Sequence, residues 1–127
     1  MNFEKVMFAF FIVLALTLNF GFFIGEIHNP IHHDGLELAA ALVVSLIATV
    51  MKFGDRSQMG AVLLATSLVA DLQLLIAAGT WIWAINISET GTLLEVMPRI
   101  VSLSGGALLA NLVSVTLLIA ETISIRR

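Results

Sequence analysis

Charged residues are scarce in this sequence and cysteine is absent. Only 12% of the 127 residues are charged, while 59% are apolar. An average soluble domain carries about 25% charged residues, so this chain has too few polar side chains to cover a water-exposed surface. The few charges exclude a disordered tail and a nucleic-acid-binding protein with a basic face. The lack of cysteine excludes thiol chemistry and a disulfide scaffold, and a membrane protein is the class that remains.

Four apolar runs are candidates for membrane spans, because a spanning helix takes about 20 residues. We predict an all-α polytopic membrane protein in which a single domain, residues 1–127, holds four transmembrane helices. Residues 92–97 are expected to form a short separate helix on the outer surface, ended by Pro98. The predicted spans are about residues 6–25, 36–53, 60–86 and 100–124.

The basic residues predict the orientation of these spans. Cytoplasmic loops of membrane proteins carry an excess of lysine and arginine. With four spans, Arg99 is the one basic residue that falls on its side of the membrane. We therefore expect both termini to be cytoplasmic, together with the five other basic residues: Lys5, Lys52, Arg56, Arg126 and Arg127.

Asp71 is the one acidic residue deep inside a predicted span. Counted from Gly60 at 1.5 Å per residue, it lies about 16 Å into the membrane, close to the midplane. A carboxylate there favours a function, such as an ion path or a proton relay. The structural alternative is an aspartate that only fixes helix packing, for example against Asn111 at a matching depth of the fourth span.

Two polar stripes run along the third span, well over 90° apart. Asp71 and Ser67 belong to the first stripe, and Gln73 and Thr66 belong to the second. An unpaired Gln73 in hydrocarbon costs several kcal/mol. We therefore expect protein on both sides of this helix, supplied by a second copy in a homo-oligomer or by another membrane protein.

The fourth span carries a polar seam and small residues that favour close helix contact. Spacing of three and four residues aligns Asn111 with Ser104 and Ser114, and continues to Glu121. Packing is the expected role of the small residues beside this seam and on the first span: Ser102, Gly106 and Ala110, and Gly21 and Gly25.

The predicted outer loop concentrates histidine and acidic side chains. Imidazole and carboxylate together can hold a metal ion, but the spacing matches no strong metal motif. A pH-responsive entrance to an ion path is an equally simple interpretation, and a solvated loop is the third. The residues concerned are His28, His32, His33, Asp34 and Glu37.

Residues 14–21, 52–56 and 61–73, which read LALTLNFG, KFGDR and AVLLATSLVADLQ, resemble a family of small bacterial integral-membrane proteins of unknown function. The resemblance implies a location in the bacterial inner membrane and implies no activity, so it assigns no functional residue.

Two functional hypotheses follow from the residues. The first is a homo-oligomeric channel or transport protein for a small cation or proton, with Asp71 as its midplane site and the acidic loop as its entrance. The second is a non-conducting accessory subunit that uses the same polar stripes to stabilise a larger membrane complex. No nucleophile and base are placed together, so we expect neither an enzyme nor a cofactor.

Overall fold

The computed structural model describes residues 3–24, 35–55, 57–86 and 92–126, without the side chains of residues 92–94 and 124–126. The described part consists of four α-helices and contains no strand. Each helix has the length and the apolar composition of a membrane span, which confirms the predicted all-α polytopic fold. The helices are α1 (Phe3–Phe23), α2 (Gly35–Lys52), α3 (Gln58–Asn86) and α4 (Thr92–Arg126).

The helices form a bundle in which each one packs against two others. The principal contacts join α1 to α2, α2 to α3, α3 to α4 and α4 back to α1. Neighbouring helices are antiparallel: Phe8 near the start of α1 lies under Lys52 at the end of α2, and Gly21 near the end of α1 lies beside Glu37.

A tight turn joins α2 to α3. The Asp55 N–H donates to the Lys52 carbonyl at 3.1 Å. Ser57 caps α3, because its hydroxyl oxygen accepts the Gly60 N–H at 3.0 Å, which satisfies one of the free donors of a helix start. This turn fixes the register of α2 against α3.

The apolar core is divided into two clusters, one at each end of the bundle. The first cluster contains Phe22, Leu38 and Leu74 with Met97 and Ile100. The second contains Phe8, Ile12, Ala48 and Leu63. The outward faces of the helices expose further large apolar side chains, as expected for a protein that is surrounded by lipid.

The prediction of a separate helix at residues 92–97 is wrong. α4 runs without a break from Thr92 to Arg126, with Pro98 inside it. Proline removes one backbone donor and favours a break, but Met97, Ile100 and Val101 on either side of Pro98 are buried in the first cluster. Their packing holds this part of the chain in the same helix.

Candidate functional site

Asp71 lies inside the bundle, between α3 and α2. Its side chain is 4% exposed. The Ser45 hydroxyl lies 2.6 Å from Oδ1, and the Thr49 hydroxyl lies 2.5 Å from Oδ2. Ser45 and Thr49 are one turn apart on α2, so both face the same carboxyl group.

Asn111, the packing partner of Asp71 that was considered from the sequence, has no hydrogen-bond partner among the described residues, and the two hydroxyls that contact Asp71 were not predicted. A signal for them was present, since Ser45 and Thr49 are polar residues four apart in an otherwise apolar run. Such spacing places them on one face of a helix.

The Thr49 hydroxyl has two acceptors within reach but only one proton to donate. Its oxygen lies 2.9 Å from the Ser45 carbonyl oxygen as well as beside Asp71 Oδ2. Both contacts become hydrogen bonds when Asp71 is a carboxylic acid that donates to Thr49, which in turn donates to the carbonyl. The geometry therefore accommodates one proton on Asp71.

The second polar stripe of α3 faces α4. Thr66 and Ser114 share a hydrogen bond of 2.5 Å between their hydroxyls. The carboxamide of Gln73 lies against Gly106, where a Cβ atom would overlap it. A single chain thus supplies protein on both sides of α3, so the two stripes do not by themselves require a second copy or a partner subunit.

Ser67 and Asn111 are fully buried but have no hydrogen-bond partner among the described residues. Both side chains are 0% exposed. The Ser67 hydroxyl and both polar atoms of the Asn111 amide are unpaired, although buried polar groups in proteins are nearly always paired. Asn111 continues the buried seam of α4, which also contains Ser104, Ala107 and Ser114.

A further polar pair joins α1 to α4 nearer the first cluster. The Ser104 hydroxyl donates to the Asn19 carboxamide oxygen at 2.9 Å, and both side chains are buried. The Asn19 amide nitrogen has no partner in the described part of the chain. Asn19 was not a predicted site residue, although an amide inside an apolar run is the same kind of signal as Asp71.

Four of the buried polar side chains form a polar layer in the middle of the bundle: Ser45, Ser67, Asp71 and Asn111. Along the helices, Ser45 lies between Ala41 of the first cluster and Ala48 of the second. Ser67 lies between Leu63 of the second cluster and Ala70 of the first, and Asp71 follows Ala70 at the edge of the first cluster. An apolar cluster therefore closes the polar layer toward each end of the bundle.

The predicted packing residues differ in their surroundings. Gly21 lies against the Glu37 carboxylate, and Gly106 against Gln73, while Ala110 is half-buried and Ser102 is exposed. Gly25 lies outside the described residues.

Most of the outer-loop residues proposed for metal binding or for an entrance also lie outside the described residues, namely His28, His32, His33 and Asp34. Glu37 is described, and its carboxylate packs beside Gly21. Within the ranges that the structure covers, no three histidine or acidic side chains are grouped as metal ligands.

Lys52 and Asp55 lie together at the end of the bundle near the α2–α3 turn. The Lys52 ammonium lies 4.2 Å above the Phe8 ring and 3.4 Å from the Asp55 carboxylate. The Ser57 hydroxyl and N–H donate to Asp55 at 2.7 and 2.9 Å. These hydrogen bonds, and after them the Lys52 charge, hold the pKa of Asp55 below its usual 3.8.

Comparison with known proteins assigns the chain to a family whose function is unknown. The model of the Family of unknown function (DUF6394) matches residues 32–122. This match spans more than half of the chain, so the protein belongs to that family, and the resemblance to a membrane-protein family of unknown function is confirmed. No curated protein and no solved structure matches the chain.

Proposed function

We propose that this member of the DUF6394 family moves a proton or a small cation across the membrane, with Asp71 holding the ion midway. The observation that carries the proposal is the burial of this carboxyl group in the middle of the bundle, where its hydrogen-bond partners are the uncharged hydroxyls of Ser45 and Thr49. Ionisable groups at this depth are rare and mark ion or proton pathways.

Electroneutrality is the physical reason that Asp71 takes up an ion. An uncompensated charge is very costly in a medium of low dielectric constant. Lys52 is the basic residue of α2, the helix that faces Asp71. Its ammonium group contacts Asp55 and Phe8 at the end of the bundle. Asp71 is therefore stable when it carries a proton or when a cation lies beside it.

The arrangement of the two apolar clusters corresponds to a closed state of this pathway. The first cluster covers the polar layer on one side, and the second cluster covers it on the other. Transport in this scheme requires the two clusters to open one after the other. Helix shifts and hydrophobic constrictions perform such gating in other proteins.

The proposal includes assembly as a homo-oligomer in the inner membrane of a bacterium, with both termini in the cytoplasm. Five of the six basic residues support this orientation, because they fall on one side of four spans. The location is supported by the family resemblance of the sequence. Since Asp71 faces α2 of its own chain, the ion path runs through each bundle and not along an axis between copies.

The test is ion flux into liposomes that contain the purified protein. A potassium diffusion potential drives uptake, and a pH-sensitive dye and a sodium tracer report on proton and cation entry. We expect Asp71→Asn to abolish the flux, because the amide cannot exchange a proton or balance a cation. Thr116→Val is the matched control, since this exposed hydroxyl bonds only to its own backbone at Leu112.

Two outcomes contradict the proposal. Flux that survives in Asp71→Asn removes the carboxyl group from the pathway. Absence of flux in the wild type, together with a second membrane protein that co-purifies in fixed ratio, favours the accessory subunit.

A further inference from the structure

Two fully buried side chains, Ser67 and Asn111, carry polar atoms that have no hydrogen-bond partner among the described residues. The hydroxyl of Ser67 lies one turn before Asp71 on the same face of α3, and both residues are buried. Asn111 on α4 brings a carboxamide whose oxygen and nitrogen are both unpaired. A site that only holds a proton needs neither group.

The register of α3 against α4 places Asn111 at the level of these two residues. Thr66 faces Ser114 and Gln73 faces Gly106. Counting along the antiparallel helices from either contact puts Asn111 beside residues 68 and 69, between Ser67 and Asp71. The remaining offset from Asp71 is two or three residues, about 3–4.5 Å along the axis.

The side chains of Asn111 and Asp71 also lean toward each other. In an α-helix each Cα–Cβ bond tilts toward the helix N-terminus. The tilt moves Asn111 along α4 toward the level of Asp71, and moves Asp71 along α3 toward the level of Ser67. The hydroxyls of Ser45 and Thr49 on α2 contact Asp71, so oxygen-bearing side chains of three helices lie at about one level of the bundle.

We propose that this level is a binding site for a monovalent alkali cation, coordinated by oxygens of Asp71, Asn111 and Ser67 together with the hydroxyls of Ser45 and Thr49. The inference rests on the proposed function and names its ion. Carboxylate, hydroxyl and amide oxygens are ligands of hard cations, and the two unpaired side chains acquire a partner when the cation binds.

Charge selects a monovalent ion. The layer contains one carboxyl group, so one proton or one alkali cation makes it neutral, whereas a divalent cation leaves a net positive charge in the bundle. Binding is therefore an exchange in which the Asp71 proton leaves to water as the cation enters, and the charge of the site is unchanged.

Other ionisable groups of the packed helices lie toward the helix ends. On α2 these are Glu37 beside Gly21 and Lys52 beside Asp55. On α4 they are Glu95, Arg99 and Glu121, with Arg126 as its last residue, and on α1 they are Glu4 and Lys5 in the first turn. Competition between proton and cation is thus assigned to Asp71 in the described part of the bundle.

The experiment measures thermal unfolding of the purified protein in detergent, followed by the fluorescence of Trp81 and Trp83. Sodium chloride and potassium chloride are titrated against choline chloride at equal ionic strength. A ligand that binds the folded state raises the unfolding midpoint. We expect an alkali cation to raise the midpoint above the choline value at pH 8 and to do so less at pH 5, where protons compete.

Variants assign the shift to this site. Asp71→Asn is expected to abolish it, and Ser67→Ala and Asn111→Leu to require about tenfold more cation for the same shift, which corresponds to 1.4 kcal/mol. Ser67→Ala keeps the experiment interpretable if Asn111→Leu does not fold, and Thr116→Val is the control. A wild type with the same midpoint in all three salts, or a shift that persists in Asp71→Asn, overturns the site.

The flux experiment tests transport and the unfolding experiment tests cation binding, so one proposal can be contradicted while the other stands. A cation shift without any ion flux retains the binding site and removes the transport proposal. Proton flux that depends on Asp71 without a cation shift retains transport and removes the alkali cation as its ion.

Discussion

At the residue scale, the hydrogen bonds of Asp71 couple α2 to α3. We predict that Thr49→Val lowers the free energy of unfolding by about 0.5–1.5 kcal/mol, the usual range for a hydrogen bond between membrane helices, because valine keeps the shape but leaves Asp71 Oδ2 without a partner. Reversible unfolding by denaturing detergent measures the change. Thr17→Val is the control, since the Thr17 hydroxyl is exposed and bonds only to its own helix at Leu14. Equal effects of the two changes would mean that the Asp71 contact adds no stability.

How far the site could be predicted from the sequence is also decided residue by residue. An aspartate in an apolar run is conspicuous, and its depth follows from the rise per residue, so Asp71 and its mid-bundle position could be predicted. Its partners could not, because helical periodicity gives the face of a side chain but not which neighbouring helix covers that face. From the sequence alone, Asn111 and Ser45 were equally good candidates for a partner of Asp71. In the folded bundle the Asp71 side chain faces α2, so Ser45 is its partner.

At the element scale, α3 and α4 come close where Gly106 meets Gln73. Alanine is about 1 kcal/mol better than glycine inside a helix, and Gly79 has open space around it. We therefore predict that Gly79→Ala stabilises the protein slightly. Gly106→Ala should gain less than Gly79→Ala, because its methyl group forces the Gln73 carboxamide to move aside. The same unfolding assay compares the two variants.

The Gly106 prediction has an internal check. If the displaced carboxamide limits the gain, Gly106→Ala should stabilise a Gln73→Ala background more than it stabilises the wild type, a coupling between the two sites. Strictly additive effects of the two changes would show that the close approach of α3 and α4 does not depend on this contact.

The α2–α3 turn predicts how stability depends on pH. The hydrogen bonds from Ser57 lower the pKa of Asp55 in the folded state, so the ionised carboxylate stabilises the turn above the unfolded value of 3.8. This contribution is lost as the pH falls through the lower, folded value. Melting curves between pH 3 and 7 should show a small loss of stability below about pH 4.

Asp55→Asn is the matching variant for this pH effect. Its midpoint should lie below the wild-type midpoint at neutral pH, and the two should converge in acid. Because the carboxylate is close to solvent, the difference should also shrink at high salt. A constant difference across the range would assign it to something other than the charge.

The helix boundaries show what composition does and does not predict about the elements. The four apolar runs are visible because each must cross about 30 Å of hydrocarbon, and the start of α3 is marked by the capping Ser57. The start of α4 was misjudged because Pro98 is a local signal for a break. Burial of Met97 and Ile100 in the first cluster is a tertiary effect that outweighs it.

At the scale of the whole molecule, one chain completes the surroundings of Asp71. The carboxyl group faces α2, the second stripe of α3 faces α4, and the apolar clusters close both ends. A second copy or a partner subunit is needed to cover α3 only if an isolated bundle leaves one polar stripe of this helix in lipid. The ring of helix contacts removes that condition, so assembly and ion movement become separate questions.

This separation yields a prediction about mixed assemblies. If each bundle carries its own path, flux from proteoliposomes made with wild type and Asp71→Asn co-expressed in known ratio should fall in direct proportion to the wild-type fraction. If copies share one pore, a single Asp71→Asn chain impairs the whole assembly, and flux falls as a power of that fraction. We expect proportionality because Asp71 is 4% exposed within a single chain and is bonded to its own α2. A steeper fall would place the path between copies and would require Asp71 to leave Ser45 and Thr49 on assembly.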